Sequence, residues 1–463
     1  MSVAAAHRRQ RVLGAVVGWA AGDALGAPFE FGDPGQFSRR FPRPAYGSTT
    51  EMTGGRGWKP GEWTDDTQMG LLVAYSLLEH DGLDEADLYA RFVRWLRGDP
   101  ADVGHQTRVV LGSGLPWDRA ARTHFDTGQL AAGNGSLMRT IPAAVYWSRR
   151  SPEATRDAAR RISALTHGDP AAGDGCAIYH HLIAAALDGR DPLDALPGAL
   201  ADIPAERRDH WMAVCDPAWT PEQATEPNGA VWPTLGTALW ALRSHSTFPV
   251  ALRSVVDCGG DTDTIAAVAG GLIGAAQGVQ AIPSRWATPL NGQLPGQRDP
   301  VPDLVGLMAL AQRLDGEQTA GGEPGGEAGI DPVEVEPGLW VSDFFGATRA
   351  PRGALVISLC RTWGRLDHLD RRQVYLTDNA ENLDVIAVIN DVLATIEAAQ
   401  SEGRPVLVHC YGGHSRTGLI LRAYLMRKHS LNVRHATAAA QRLWPHLGLW
   451  EPTFDEALQC LAP

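Results

Sequence analysis

The stretch Asp257–Gly278, DCGGDTDTIAAVAGGLIGAAQG, joins a short acidic run to a segment built almost entirely from glycine, alanine and aliphatic residues. Small side chains let two backbones approach closely, so this segment predicts a central, tightly packed helix. Immediately before the helix, one residue separates Asp261 from Asp263, and Thr264 follows. Carboxylates and a hydroxyl at the start of a core helix predict either two helix caps in series or half of a metal site.

Segments with apolar residues at helical spacing flank this helix throughout the first two thirds of the chain, where strand candidates are scarce. We therefore predict an all-α domain over residues 8–315. The periodicity fails over residues 100–130, which we expect to form loops and short turns. The predicted helices are Gln68–Glu79, Asp84–Arg97, Pro152–Ala164, Gly173–Leu187, Trp232–Arg243 and Thr264–Gln277.

The last third of the chain has a different pattern. Residues 316–331 are rich in glycine and glutamate and predict a flexible linker. Beyond it, strands alternate with helices, which predicts an α/β domain over residues 332–463. The predicted strands are Gly338–Ser342, Leu355–Leu359, Val374–Leu376 and Pro405–His409, with one helix over Leu383–Gln400 and others from Arg416.

Bulk properties narrow the class of protein. The 463 residues carry a formal net charge of −12, which argues against a broad nucleic-acid surface, although a modified nucleic acid stays open as a substrate. We find no apolar run of 18 residues, and we interpret Met1–Gly26 as a helix and not a signal peptide. These observations predict a cytoplasmic protein without a membrane partner. The six cysteines are scattered and contain no CxxC pair.

One cysteine lies in a pattern that indicates chemistry. The stretch VLVHCYGGHSRTGLIL, residues 406–421, places Cys410 directly after an apolar strand and Arg416 at the start of a helix. Backbone N–H groups at such a junction form a cradle for an anion, and the arginine can bind two phosphate oxygens. The same cradle would lower the pKa of the thiol and favour the nucleophilic thiolate.

These residues match the form His-Cys-x-x-Gly-x-Ser-Arg-Thr and resemble the Cys-x5-Arg loop of protein tyrosine and dual-specificity phosphatases, over roughly residues 335–460. The resemblance implies a phosphocysteine intermediate at Cys410. Thr417 would support the departing thiolate of Cys410, and Asp378 would be the acid that protonates the leaving group. Asp384 is the weaker acid because we expect it inside the following helix. A degenerate phosphate binder and a merely buried cysteine are the alternatives. The phosphorylated substrate would be held by Gly412, Gly413, His414, Ser415 and Arg416.

A second acidic run lies upstream, in GEWTDDTQMG, residues 61–70. Taken alone, Thr64–Thr67 is most simply a helix cap. Together with Asp261, Asp263 and Thr264 it could supply oxygen ligands for two octahedral Mg2+ ions.

Three further motifs occur in order with these two: Gly22-Asp23 followed by Glu30, GNGSLMRTIP at 133–142, and THGDP at 166–170. The five motifs resemble the ADP-ribosylglycohydrolase family, which includes the dinitrogenase-reductase-activating enzymes, from about residue 10 to about residue 315. The resemblance implies an all-α fold with two Mg2+ ions, or Mn2+ in their place, at the base of a cleft. The implied metal ligands are Thr64, Asp65, Asp66, Asp261, Asp263 and Thr264.

The resemblance also implies a substrate site. The turn formed by Gly133, Asn134, Gly135 and Ser136 would bring backbone N–H groups to the diphosphate of ADP-ribose, although relatives often have alanine in place of Ser136. His167 would lie beside the ligand, the alternative being a structural histidine. The base would be Asp65, Asp263 or Glu30, and a surface role is the alternative for Glu30.

The sequence therefore predicts a two-domain hydrolase. One domain would remove ADP-ribose from modified proteins or small ADP-ribosyl adducts with Mg2+, and the other would be a Cys-dependent phosphatase. The alternative is a regulatory module that binds ADP-ribose without cleaving it, with phosphatase chemistry as the only activity. The sequence leaves the ADP-ribosyl linkage and the phosphatase substrate open.

Overall fold

The computed structural model describes residues 2–128, 132–317 and 329–461. Most of the predicted linker, residues 318–328, falls outside these ranges. The described segments on either side of it belong to different classes of structure. The helices of the first part are α1 (Val3–Gly26), α2 (Gln36–Arg40), α3 (Asp65–His80), α4 (Glu85–Arg97), α5 (His105–Gly112), α6 (Ala120–Phe125), α7 (Ile141–Trp147), α8 (Pro152–Ala164), α9 (Pro170–Leu187), α10 (Pro192–Ala201), α11 (Ala205–Cys215), α12 (Val231–Ser244), α13 (Phe248–Val256), α14 (Thr262–Gln277), α15 (Ser284–Ala287) and α16 (Leu304–Leu314).

The helical class predicted for the first part is confirmed: over its described residues the only β pairing consists of isolated bridges. The expectation of loops over residues 100–130 was wrong in part, because α5 and α6 form there. Both are short, eight and six residues, so each shows too few turns for a periodic pattern to be recognised.

Helices α1 and α14 form the centre of this part, antiparallel and in backbone contact. Glycines recur at every fourth position of α1, at residues 14, 18, 22 and 26. A Cβ atom on any of them would lie only 2.0–2.3 Å from a carbonyl oxygen of α14. Close packing of α14 was expected from its composition, and the structure shows that α1 is its partner.

This contact gives a prediction about stability. Replacing Gly18 with alanine would place a methyl group 2.3 Å from the carbonyl oxygen of Gly270 and force the helices apart. We expect the free energy of unfolding to fall by about 1–3 kcal/mol, as for other overpacked cores. This loss exceeds the gain of about 1 kcal/mol that alanine has over glycine in helix propensity. Urea denaturation would measure the change.

The matched control is Gly112→Ala, at the end of α5, where the added methyl would meet nothing within 4 Å. This variant should be neutral or more stable by up to about 1 kcal/mol. Equal effects of the two substitutions would mean that α1 and α14 separate without cost.

Helix α1 is more apolar than the sequence analysis assumed. The segment Val3–Phe29 has a mean hydropathy of 1.4 over an 18-residue window and is long enough to cross a membrane by length and composition. The whole window is buried within the protein, against α14 and its neighbours. The prediction that the chain has no apolar run of 18 residues was therefore wrong. Burial of this helix in the core explains its apolar composition.

The second part is an α/β domain, as predicted. Its sheet has the order β1-β2-β5-β3-β4, with only β1 antiparallel to its neighbour. Strand β5 is central, so the residue that ends it lies at the middle of one sheet edge. The elements are β1 (Val333–Glu336), β2 (Leu339–Asp343), β3 (Leu355–Ser358), β4 (Arg371–Gln373), α17 (Val385–Ser401), β5 (Val406–Cys410), α18 (Ser415–His429), α19 (Val433–Leu443) and α20 (Pro452–Cys460).

One strand prediction was wrong. The apolar triplet Val374–Leu376 is not a strand, and the preceding residues Arg371–Gln373 pair with β3 instead. Strand β4 lies at the sheet edge with its side chains half-buried, so polar residues form it at little cost. The apolar residues that follow lead into the connection to α17.

The two parts pack against each other through buried polar contacts. Arg285 of α15 donates from Nε to Glu51 Oε2 at 2.9 Å and contacts Asp391 of α17 at 3.4 Å. The side chains of Arg285 and Glu51 are almost fully buried. Arg285 therefore links the helical part to the sheet domain.

Candidate active sites

The acidic run at the start of α3 caps its helix and also leaves carboxylates free. Thr64 is the N-cap, and its hydroxyl accepts a hydrogen bond from the backbone N–H of Asp66 at 3.4 Å. The carboxylate of Asp23, from α1, accepts the N–H groups of Thr64 (2.9 Å) and Thr67 (3.0 Å) and the Thr67 hydroxyl (2.6 Å). Capping is therefore done by Thr64 and Asp23, and the carboxylates of Asp65 and Asp66 are not used for it.

The start of α14 brings the second acidic run to the same place. The hydroxyl of Thr264 donates to Asp66 Oδ1 at 3.3 Å, which joins the two runs directly. The Asp263 carboxylate accepts the backbone N–H of Thr264 at 2.9 Å, and Asp261 accepts the amide of Asn134 at 2.7 Å. Two segments almost 200 residues apart in sequence thus form one acidic cluster.

Two further carboxylates complete the cluster. Oxygen atoms of Glu30, Asp102 and Asp263 all lie within 4.8 Å of one another. Glu30 follows the first glycine motif and is 9% exposed, so the surface alternative for it is wrong. Asp102 was missed by the sequence analysis. It lies in the loop between α4 and α5, where a single aspartate shows no motif or periodicity.

Burial makes this cluster electrostatically unfavourable by itself. Burial, followed by the charges of Asp102 and Asp261, raises the pKa of Glu30 to about 8. Burial also raises the pKa values of Asp65, Asp66 and Asp263 well above their ordinary range, with added repulsion from neighbouring carboxylates. Such a group of buried acids either retains protons or binds a cation.

The donor set fits a hard divalent cation. The Oδ2 atom of Asp66 is buried without a hydrogen-bond partner among the described residues. An unpaired buried carboxylate oxygen is costly unless a ligand binds it. The donors that surround it are carboxylate and hydroxyl oxygens, which Mg2+ and Mn2+ prefer.

The glycine turn packs against the ring of His167. A Cβ atom on Gly133 would lie 3.4 Å from His167 Nε2, and one on Gly135 would lie 3.2 Å from the same nitrogen. The N–H of Asn134 donates to the carbonyl of Gly229 at 3.0 Å, so this N–H is not free to bind a diphosphate as expected. The Ser136 side chain is buried and its hydroxyl accepts from Ser163 at 2.8 Å, so only the backbone of Ser136 remains for the role predicted for this turn.

His167 is buried and neutral. Burial, followed by the charges of Arg139 and His124, lowers its pKa well below the usual range. Its Nδ1 atom lies 2.8 Å from the Thr166 hydroxyl, which accepts from Arg139 at 2.7 Å. The hydroxyl proton is therefore available to Nδ1, which favours a proton on Nε2, the nitrogen that faces the glycine turn.

The predicted phosphate loop begins at Cys410, the last residue of β5, and ends at the start of α18. Gly413 has φ of +72°, and a Cβ on it would lie 3.0 Å from the carbonyl oxygen of Ser342 on β2. The indole N–H of Trp444 donates to the Gly413 carbonyl at 2.7 Å. The loop is thus held by a neighbouring strand on one side and a buried tryptophan on the other.

The side chains that flank Cys410 differ in their availability. His409 is neutral, because burial lowers its pKa to about 3, and its Nε2 lies 2.7 Å from Ser358 Oγ. The Thr417 hydroxyl is buried without a hydrogen-bond partner among the described residues, so it is free to act within the loop. His414 Nδ1 instead lies 2.6 Å from the His446 carbonyl. The His414 ring is therefore engaged outside the loop, and only its backbone is left for phosphate.

Arg416 connects the loop to the segment that carries Asp378. Its NH1 group donates to the carbonyls of Leu359 (2.8 Å) and Leu376 (3.2 Å), while its Nε atom is buried without a partner among the described residues. Leu376 lies two residues before Asp378, whose Oδ1 atom is likewise buried and unpaired within the described residues. Asp384 is the N-cap of α17 and accepts from the Ala387 N–H, so it is occupied at the helix end and not inside the helix.

Comparisons with known proteins agree with this division of the chain. The family model for ADP-ribosylglycohydrolase matches residues 4–322, and the model for the dual specificity phosphatase catalytic domain matches residues 356–447. The chain is 32% identical to the ADP-ribosyl-[dinitrogen reductase] glycohydrolase of Rhodospirillum rubrum, over 65% of this chain and 96% of that protein. It is 30% identical to the ADP-ribosylarginine hydrolase Tri1 of Pseudomonas putida (strain GB-1), over 60% of this chain and 73% of that protein.

A solved structure described as an ADP-ribosylglycohydrolase-related protein complex is similar with a TM-score of 0.51 and 32% identity. The similarity covers 67% of this chain and 98% of that one. The chain therefore belongs to the ADP-ribosylglycohydrolase family, and its α/β part is a dual specificity phosphatase catalytic domain that makes it a two-domain hydrolase.

Proposed function

We propose that the helical domain is a Mg2+-dependent hydrolase that releases ADP-ribose from modified proteins, with arginine-linked ADP-ribose as its first candidate substrate. The observation that carries this proposal is the buried cluster in which Asp66 has an unpaired oxygen and Thr264 joins the two acidic runs. The linkage is suggested by the arginine hydrolase named among the relatives. Mn2+ is the alternative ion.

The residues that would hold the metals are Thr64, Asp65, Asp66, Asp261, Asp263 and Thr264, and we add Asp102 to this set because of its position beside Asp263. When bound, divalent ions at such a site would orient ribose hydroxyls and polarise the attacking water. Glu30 stands in the same cluster, and once bound cations had lowered its raised pKa, its carboxylate would accept the proton of that water. The glycine turn and the Nε2–H of His167 would border the ligand.

In the second domain, Cys410 would attack the phosphorus atom and form a phosphocysteine, while Arg416 would turn from the two carbonyls to bind the phosphate. Asp378 would protonate the leaving oxygen. Water would then attack the phosphocysteine, pass a proton to the Asp378 carboxylate and release inorganic phosphate, while Thr417 would donate to the departing Cys410 thiolate. The free hydroxyl of Thr417 and the unpaired oxygen of Asp378 support these roles.

The test is release of free ADP-ribose from proteins modified through arginine or through serine, with Mg2+ or with EDTA. We expect release from the arginine-linked substrate that requires Mg2+. Release from the serine-linked substrate alone would keep the hydrolase and change the linkage. Tight binding of ADP-ribose without release from either substrate would overturn the proposal in favour of a regulatory binding module.

A further inference from the structure

The acid segment, residues 374–384, connects β4 to α17 and carries Asp378. Its conformation depends on the side chain of Asn382. The Asn382 Oδ1 atom accepts from both the N–H and the hydroxyl of Thr377 at 2.9 Å, and its Nδ2 donates to the Thr377 carbonyl at 3.0 Å. Since Thr377 directly precedes Asp378, Asn382 fixes the backbone that positions the acid.

Asn382 is itself held from the other domain. Gln280, in the short 3-10 turn just after α14, donates from Nε2 to Asn382 Oδ1 at 2.7 Å. Its Oε1 atom accepts the backbone N–H of Asp384 at 2.8 Å. The Gln280 side chain is 5% exposed, so both ends of a buried amide are used on the acid segment.

Gln10 of α1 makes the same kind of contact with the backbone of the residues on either side of Asn382. Its Nε2 donates to the carbonyl of Glu381 and its Oε1 accepts the N–H of Leu383 at 3.0 Å. Gln10 is 1% exposed. A Cβ atom on Gly278 would lie only 2.6 Å from the Leu383 side chain, so the acid segment also packs against the end of α14.

The two glutamines extend from a rigid base. Gln10 lies one turn before Gly14, which contacts the C-terminal end of α14, and Gln280 follows that same end of α14. A buried amide that lost its partners would cost free energy, so each glutamine favours one position of the acid segment. Side chains supported on close-packed helices hold a site more accurately than loops do.

We propose that Gln10 and Gln280, residues of the glycohydrolase domain, are positioning residues for the phosphatase reaction. They hold Asn382 and the backbone on either side of it so that Asp378 faces the leaving oxygen of the substrate. This inference rests on the role proposed above for Asp378. According to this inference, proton donation in the phosphatase domain depends on contacts from the glycohydrolase domain. Nucleophilic attack by Cys410 does not depend on those contacts.

The test compares two substrates on the full chain. A phosphotyrosine peptide releases a phenol with a pKa of about 10 and needs the general acid. A strongly activated aryl phosphate releases a more acidic phenol and needs it far less. We expect the Gln10→Ala/Gln280→Ala variant to lose about tenfold or more in kcat on the peptide, within the contribution of general acids, and less than about twofold on the activated substrate. The KM for the peptide should change little.

The matched control is Gln277→Ala, three residues earlier, whose amide donates to the Ser246 carbonyl within its own domain. This variant should behave as the wild type on both substrates. The pH profile provides a second readout, because loss of a placed acid removes the fall in kcat at high pH that depends on its proton. Unchanged activity on the activated substrate shows that the variant is folded.

The outcomes separate this inference from the role of Asp378. If Asp378→Asn fails to discriminate between the two substrates, the assignment of the acid is wrong. If Asp378→Asn discriminates and the double glutamine variant does not, the acid is correct and the positioning role is overturned. A uniform loss on both substrates in the double variant would also overturn it, since that is the result of a merely structural contact.

Discussion

Asp66→Asn is expected to lower the rate of Mg2+-dependent ADP-ribose release by at least about a hundredfold. Loss of a residue that only supports a metal ligand costs about 10- to 100-fold, so a direct ligand should cost at least the upper end of that range. The substitution keeps an oxygen at Oδ1 to accept from Thr264. It replaces an unpaired, buried anionic oxygen with an amide that cannot bind a cation. Initial rates at saturating Mg2+ on ADP-ribosylated protein would measure the loss.

The same variant should be more stable than the wild type without metal. Burial and the charges of Asp23 and Asp263 raise the pKa of Asp66, so its ionised form opposes folding in the absence of a cation. Removing that charge should raise the Tm in EDTA and abolish the rise that Mg2+ gives the wild type. A stability gained with activity lost is the result expected of a metal ligand.

A matched control is the buried carboxylate of Asp315, which is already paired. It accepts from Arg8 at 2.8 Å and from Arg149 at 2.6 Å. Asp315→Asn should lower stability by up to about 3 kcal/mol, equally in Mg2+ and in EDTA. If Asp66→Asn behaves in this way, the acidic cluster is a structural network and the metal site is wrong.

The two acidic runs could be assigned to one site because each occurs beside a helix start and within a recognisable motif. Asp102 could not be assigned to the site from sequence, because an isolated aspartate in a loop has no neighbouring motif that distinguishes it from a solvent-exposed aspartate. Its position near Glu30 and Asp263 depends on how α4 and α5 pack. Tertiary contacts of this kind leave no periodic signal along the chain.

The phosphate loop shows the same division. The strand and the helix start were predicted from local sequence, and the structure has them at Cys410 and at Ser415, one residue before the predicted start at Arg416. The positive φ of Gly413 is seen only in the structure. The orientation of side chains does not follow from local sequence. His414 turns to the His446 carbonyl and Ser136 turns into the core, because the available partners come from distant segments.

Domain contacts were the part least accessible to sequence reasoning. Gln10 lies in a predicted helix and Gln280 lies just beyond the end of another, and at such positions a glutamine ordinarily indicates a solvated surface. Both are buried against the acid segment of the other domain. A composition-based linker suggests independent domains, whereas the described residues show them joined through buried hydrogen bonds.

Cys410→Ser is expected to reduce phosphatase turnover by at least about a thousandfold while leaving ADP-ribose release unchanged. A serine hydroxyl is a far weaker nucleophile than a thiolate, and the Nε2 atom of the neighbouring His409 is already engaged by Ser358 Oγ. The loop itself should survive, because its supports are Gly413 and Trp444 and not the thiol. Turnover of the activated aryl phosphate would measure the loss.

Cys360 provides the matched control because it is also buried and follows the neighbouring strand β3. Burial raises the pKa of its thiol to about 12, so it stays protonated and inert at neutral pH. Cys360→Ser should therefore retain phosphatase turnover. If instead Cys410→Ser retains it, the loop binds phosphate without forming a phosphocysteine. If Cys410→Ser also slows ADP-ribose release, the two sites are coupled through the buried contacts that join the domains.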